Sequence, residues 1–236
     1  MNNLRSFAKS GIYAAGFGRQ YLNLWWSRRA GSVNPWTDWN HHAKTVFIHI
    51  PKNGGTSMYS TFGMDKPPET HCPVVGYLHS DPERWAETYS FAFVRNPWDR
   101  FVSAFHYLKR KPLSEDDRLW SQQNLSECED FEAFLTKLQS SRSFLGTVMM
   151  WRHFAPQWWY LADESGKVVI DHLGRFEDFA SEVGVIGDKL GISTNVVHEN
   201  KVTRAHYSEY YSPETVDFVG RLYKEDIKRF SYQFQA

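Results

Sequence analysis

Residues 45–57, TVFIHIPKNGGTS, constrain the fold more than any other stretch of the chain. The run TVFIHI at 45–50 is apolar and rich in β-branched residues, and Pro51 and two glycines bound it, so it reads as a buried strand. A helix is expected over residues 56–63. A strand that ends in a glycine loop and runs into a helix is a way to build an anion site. Glycines let the backbone approach a ligand, amide N–H groups turn inward, and the helix start favours negative charge. Lys52 adds a full positive charge, and Thr56 and Ser57 add hydroxyl donors. The loop is not a Walker A sequence, because Lys52 precedes the glycines, and no second-strand Asp for magnesium is evident. A tight turn with an incidental lysine is the plainer alternative. Gly-Gly-Thr-Ser directly after a strand, with a lysine beside it, favours the anion site.

A second unit of the same kind follows. YSFAFV at 89–94 reads as another buried strand, and Asn96-Pro97 as an N-cap with proline at the first helical position. The helix is expected to run to about Arg110 and to carry Arg100, Ser103 and His106 or Tyr107 on one face. Arg95 leaves the strand and Ser103 lies eight residues on, so the pair could grip one phosphate, the arginine acting as a forked donor. Taken alone, an arginine in a surface salt bridge and a packed serine would explain both residues. Two anion-ready units in one small domain suit a nucleotide with two separate phosphates.

The remaining elements set the fold class. KVVIDHLG at 167–174 reads as a third strand; 131–138, FEDFASEVGVIGDKLGI and 212–230 read as helices, and the polar stretch 112–130 as loop. Strands alternating with helices indicate a three-layer α/β/α domain with a mostly parallel central sheet and a P-loop-like strand-loop-helix anion site. Residues 44–236 read as a single domain, preceded by a lead-in at 1–43 with helical character. An apolar fraction of 42% and a charged fraction of 23% exclude wholesale disorder and coiled coil. The balance of 27 basic and 27 acidic residues argues against a nucleic-acid protein, while leaving room for a local basic cleft. Cys72 and Cys128 form no CxxC pair, so neither a zinc ribbon nor a redox motif is indicated; one disulfide is open, and free thiols in a reducing cytosol are the favoured reading. No apolar run nears the roughly 18 residues of a membrane span. The N-terminal stretch is broken by Arg19, Gln20 and Asn23, so it lacks the apolar core of a signal peptide. Trp25 and Trp26 beside Arg28 and Arg29 could seek a membrane surface, but packing on the chain's own domain is the favoured reading. Aromatics at 17%, with ten Trp, fill cores or line sugar-binding and purine-binding clefts.

Residues 47–57, FIHIPKNGGTS, resemble the 5′-phosphosulfate loop of the PAPS-dependent sulfotransferases, and residues 94–103, VRNPWDRFVS, resemble their 3′-phosphate motif, some forty residues apart. HFAPQWWYL, IDHLGRFEDF and the segment from NKVTRAHYSEYY onward resemble the branch that holds the carbohydrate sulfotransferases and bacterial relatives. The resemblance implies 3′-phosphoadenosine 5′-phosphosulfate (PAPS) as cofactor, its 3′,5′-bisphosphate (PAP) as product, and no metal. It places Lys52, Asn53, Gly54, Gly55, Thr56 and Ser57 at the 5′ end and Arg95 and Ser103 at the 3′-phosphate. Asn53 stands where threonine is common, which leaves the amide cradle intact. Arg175 and Lys201 or Arg204 are candidates for closing over the nucleotide, each with a salt-bridge or solvated-charge alternative.

Sulfuryl transfer asks a protein for positioning and charge neutralisation, here by Lys52, and for a base on the acceptor hydroxyl. The resembling enzymes carry a base histidine between the two anion motifs, an interval that holds His71 and His79; His71 is favoured, with Glu69 a third choice. His49 reads as a packed strand histidine, and His153, near Trp158 and Trp159, as either core or the edge of an acceptor cleft. The expected partner is a hydroxyl acceptor, a carbohydrate or glycoconjugate, with a small molecule or lipid still open, and the expected location is cytoplasmic. A kinase with an atypical phosphate loop and a non-catalytic nucleotide- or glycan-binding module are the readings from other classes. Oligomeric state is not set by the sequence.

Overall fold

A computed structural model describes residues 11, 13, 16–29, 33–67, 69–110, 112–193 and 205–236. In chain order the elements are α1 (Gly18–Arg29), α2 (Asp38–Ala43), β1 (Thr45–Ile48), α3 (Gly55–Phe62), α4 (Val74–Ser80), α5 (Pro82–Ala86), β2 (Tyr89–Val94), α6 (Pro97–Arg110), α7 (Glu115–Asn124), α8 (Phe131–Ser140), α9 (Arg142–Met149), α10 (Trp158–Leu161), β3 (His172–Arg175), α11 (Phe179–Leu190), α12 (Pro213–Leu222) and α13 (Lys224–Phe230). They fall into two compact units interleaved along the chain, one of Leu22–Arg95 and Gln157–Arg204, the other of Met1–Tyr21, Asn96–Pro156 and Ala205–Ala236.

The first unit holds the sheet. Its strands run in the order β1-β2-β3 and all are parallel, with Phe47 opposite Phe91 and Val94 opposite Arg175. Phe47, Phe91 and Phe93 project from one face onto Met58, Tyr59 and Phe62 of α3 and Phe179, Val183 and Ile186 of α11. Val46, Ile48, Ala92 and Val94, which alternate with them, are also buried. Burial of both faces explains why these strands read as continuous apolar runs. The third strand begins later than its sequence suggests. Residues 167–171 turn back on the preceding segment, Val169 N–H donating to the Leu161 carbonyl at 3.1 Å. The Asp171 carboxylate then accepts from Ser90 N–H at 2.8 Å and its hydroxyl at 2.7 Å, so parallel pairing with β2 starts only at His172.

α1 packs on the same unit through Trp26, which is buried; a side chain at Gly76 of α4 would meet Cys72 Sγ at 2.3 Å and the Trp26 ring at 3.1 Å. This is the packed helix favoured above. Among the described residues, no helix is long and apolar enough to cross a membrane. Both cysteines are free and buried, and burial pushes the Cys72 thiol well above its ordinary pKa.

The second unit is helical around an aromatic core in which Phe101 and Phe105 of α6 meet Phe134, Phe154 and Tyr223. Asn96 starts α6 as its sequence suggests, its Oδ1 accepting from Trp98 N–H at 3.1 Å. Arg100 on that helix turns inward. It is 1% exposed and donates to the Ala155 carbonyl at 3.0 Å. Within 112–130, expected to be loop, the structure forms α7. Ser114 caps it, and Glu115, Asp116 and Asp117 fill its first turn, where the helix dipole favours anions. The long helix expected over 212–230 divides at Tyr223, whose buried hydroxyl donates to the Phe154 carbonyl at 2.6 Å. Much of the tryptophan excess is core: Trp26, Trp36, Trp98, Trp120 and Trp159 are all buried.

His153 proves to be a core histidine. Its Nε2 lies 3.1 Å from the Asp117 carboxylate, and both side chains are almost fully enclosed. Arg152 donates to the other Asp117 oxygen at 2.8 Å, and the Tyr107 hydroxyl adds a bond at 3.1 Å. Burial alone would raise the Asp117 pKa; the His153 contact, the Arg152 charge and the Ser114 hydroxyl outweigh it and hold the carboxyl well below the usual range. A carboxyl depressed on folding contributes stability above its unfolded pKa of about 3.9, and that contribution is lost as pH falls through the folded value. The melting temperature is therefore expected to fall steeply below about pH 4, and Asp117→Asn to flatten that limb while lowering stability at neutrality by a few kcal/mol. Thermal melts of both proteins across the acid range check this, and parallel acid limbs would refute it.

Candidate active site

The C-terminal edge of a parallel sheet is where α/β proteins place ligands, because the loops leaving the strands converge there. In the sheet unit three candidate segments leave that edge: the 51–54 loop after β1, Arg95 after β2, and Arg175 at the end of β3. The 51–54 loop is made by two left-handed residues, Lys52 at φ 73° and Gly54 at φ 81°. Glycine adopts this backbone freely, whereas a lysine there costs about 1–2 kcal/mol and persists only if neighbours hold it. Arg95 supplies that hold, its Nη1 donating to the Lys52 carbonyl at 2.9 Å. The Arg95 guanidinium also lies 4.2 Å from the centre of the Phe176 ring, a cation–π contact that helps orient it.

The glycines are shaped by contact as well as by torsion. A Cβ on Gly54 would lie 2.7 Å from Phe179 and 3.2 Å from Phe176, and one on Gly55 would lie 1.9 Å from Nε2 of His49. No side chain caps α3 at Gly54, and its first backbone bond is Met58 N–H to the Gly54 carbonyl at 3.1 Å. The amides of residues 55–57 thus precede the first intrahelical bond, the position from which helix N–H groups bind anions. Ser57 is buried beneath the loop and Thr56 is half-buried.

The histidines separate clearly. His71 Nδ1–H donates to the His49 carbonyl at 3.1 Å; a carbonyl only accepts, so Nδ1 carries the proton. In the neutral ring Nε2 is then the proton acceptor. The two imidazoles stand 4.4 Å apart beside Gly55. His79 instead turns its Nε2 to Ser27 and to Glu164, each at 3.0 Å. Glu69 pairs with Arg29 at 3.2 Å. Ser103 lies on α6 in the other unit, half-buried. Arg175 is half-buried at the end of β3, and Lys201 and Arg204 lie outside the described residues.

The model of the sulfotransferase family matches residues 37–233, most of the chain. The chain belongs to the sulfotransferase family. Neither the curated proteins nor the solved structures yield a match to it. The match spans the 51–57 loop, Arg95 and the α6 segment of this sulfotransferase, and runs through both units. Among its described residues no group of three or more His, Cys, Asp or Glu side chains is placed to hold a metal ion.

Three residues of the site were not assigned a role from sequence. His49 forms a wall of the glycine loop rather than only a packed strand position. Phe176 lies under both Gly54 and Arg95. Gln157 is fully buried and bonded to Asn53 and Arg95. A polar residue inside the aromatic run HFAPQWWYL was the one visible sign of it.

Proposed function

We propose that this sulfotransferase moves a sulfuryl group from PAPS to a hydroxyl of a carbohydrate or glycoconjugate, with His71 as general base. The observation that carries the reading is the bond from Arg95 to the Lys52 carbonyl, which links one cation of each anion motif at the sheet edge. The residues fit a nucleotide phosphate: a glycine loop closed to side chains at 54 and 55, a helix start with no side-chain cap, and a lysine and an arginine beside it. PAPS, when bound, supplies the activated sulfuryl group. Lys52, the amides at 54–57 and the hydroxyls of Thr56 and Ser57 would hold the 5′ end, and Lys52 would neutralise charge that grows on the leaving phosphate. Arg95 would hold the 3′-phosphate as a forked donor, with Ser103 assigned to the same group on its motif and Arg175 as a further cation. His71 Nε2 would take the acceptor proton. The carbohydrate class rests on the likeness of the later segments to the carbohydrate branch. The family match at 37–233 supports treating 44–236 as one catalytic domain.

Calorimetric titration with PAP, without added metal, tests the nucleotide site. Wild type is expected to bind, and Lys52→Ala and Arg95→Ala each to weaken binding about 10- to 100-fold, the range of one lost charge-assisted contact. Absence of PAP binding by wild type would overturn the reading. Release of PAP from PAPS in the presence of mono- and disaccharides, against simple phenols and alkyl alcohols, then tests the acceptor class.

A further inference from the structure

Gln157 is the N-cap of α10, in the sheet unit, and is 0% exposed. Its Oε1 accepts from Asn53 Nδ2 at 2.8 Å and from Arg95 N–H at 2.9 Å, and its Nε2 donates to the Arg95 carbonyl at 2.8 Å. Asn53, also buried, spends a second N–H on the Phe93 carbonyl at 2.6 Å. The amide therefore bonds both backbone polar groups of Arg95 and, through Asn53, the middle of the glycine loop. A buried amide with this many partners is fixed in orientation, and each bond would be costly to strand. α10 is too short to be held by its own hydrogen bonds, so the Trp159, Tyr160 and Leu161 side chains, all buried, anchor it in the unit.

We infer that Gln157 is a positioning residue of the transfer reaction, setting the separation of Lys52 and Arg95 before nucleotide arrives. The inference rests on the PAPS reading given above. Lys52 sits in a strained backbone conformation, and its carbonyl is bonded by Arg95, whose own peptide is gripped by Gln157. Removing the grip frees the two cations to drift apart, and a ligand with two fixed phosphates then spends binding energy on restoring their spacing. Gln157 touches neither phosphate in this scheme; it acts through Asn53 and Arg95.

Gln157→Glu gives a readout that simple loss of packing would not. An ionised glutamate keeps the acceptor for Asn53 and Arg95 N–H, but turns its second oxygen on the Arg95 carbonyl. A protonated one donates there and restores the pattern of the amide, and burial favours the protonated form. PAP affinity is measured for wild type, Gln157→Glu and Gln157→Leu, each variant compared with wild type at the same pH, with a thermal melt of each. Near pH 8 both variants are expected to bind PAP roughly 10-fold or more weakly; near pH 5.5 the glutamate variant should recover to within about 3-fold, and the leucine variant should not. If Gln157→Leu fails to fold, the recovery of Gln157→Glu decides alone. Folded variants that match wild type at both values, or a glutamate deficit indifferent to pH, would overturn the inference. Wild type that binds PAP and is weakened by Lys52→Ala but not at Gln157 refutes the positioning role alone. Wild type that binds no PAP refutes the nucleotide reading and the role together.

Discussion

His71→Ala is expected to lower turnover by about 100- to 10,000-fold while leaving PAP affinity within about 3-fold of wild type. An acceptor hydroxyl holds its proton tightly at neutral pH, and its attack is slow unless a base takes that proton as the bond forms. The His49 carbonyl fixes the tautomer of His71, which leaves Nε2 as the acceptor nitrogen of the neutral ring rather than sharing populations between two forms. The effect should be separable from nucleotide binding, since His71 bonds the carbonyl of residue 49, ahead of the 51–54 loop, and its ring stands beside that of His49. The sign of the pH dependence follows. A base works when neutral, so the rate should fall on the acid side as the imidazole takes up a proton, and that limb should vanish in the alanine variant. The measurement is PAP release from PAPS with the saccharide that turns over fastest, set beside a PAP titration of the same variant. A loss below about 10-fold would pass the role to another group and leave His71 a wall of the loop.

The parts of this molecule that were legible in the sequence are those whose causes are local. β1, β2 and the starts of α3 and α6 follow from apolar runs that stop at Pro51 and at Asn96-Pro97, and the loop chemistry follows from Lys52 and two glycines within a few residues of one another. The fold class follows from their alternation. Helix α7 is hidden in the sequence because its ten residues carry little apolar periodicity, only Asp117 and Trp120 being buried, although Ser114 before three acidic residues is a start signal. β3 begins later than its sequence suggests because Val168, Val169 and Ile170 look like strand, whereas the Ser90 to Asp171 bonds decide where pairing begins. Gln157 could not be assigned from spacing at all: its partners lie 62 and 104 residues away. Long-range hydrogen bonds leave no periodic trace, and a single buried amide in an aromatic run is compatible with many environments.

Gly55→Ala should be the most damaging one-carbon change in the sheet unit. The added methyl would overlap His49 at 1.9, 2.3 and 2.4 Å from three ring atoms, far inside van der Waals contact. The ring has little room to yield, with Phe47 stacked 5.5 Å away, Tyr59 edge-on at 5.5 Å and His71 at 4.4 Å. Either the imidazole swings, which breaks its stack with Phe47 and its contact with His71, or the start of α3 lifts off the strand and takes the 54–57 amides with it. Overpacking of this kind costs about 1–3 kcal/mol, and PAP affinity should fall more than about 10-fold because every amide of the cradle moves. The same substitution at Gly184 is the control. That residue lies inside α11 with nothing within 4 Å of a new Cβ. Alanine there removes only the excess freedom of glycine in the unfolded chain, so it should stabilise the protein by about 0.5–1 kcal/mol and leave PAP binding untouched. Thermal melts and PAP titrations of the two variants give opposite signs if the cradle is shaped by the His49 to Gly55 contact. Wild-type affinity in Gly55→Ala would show instead that the loop tolerates a side chain, and that His49 is no part of the site.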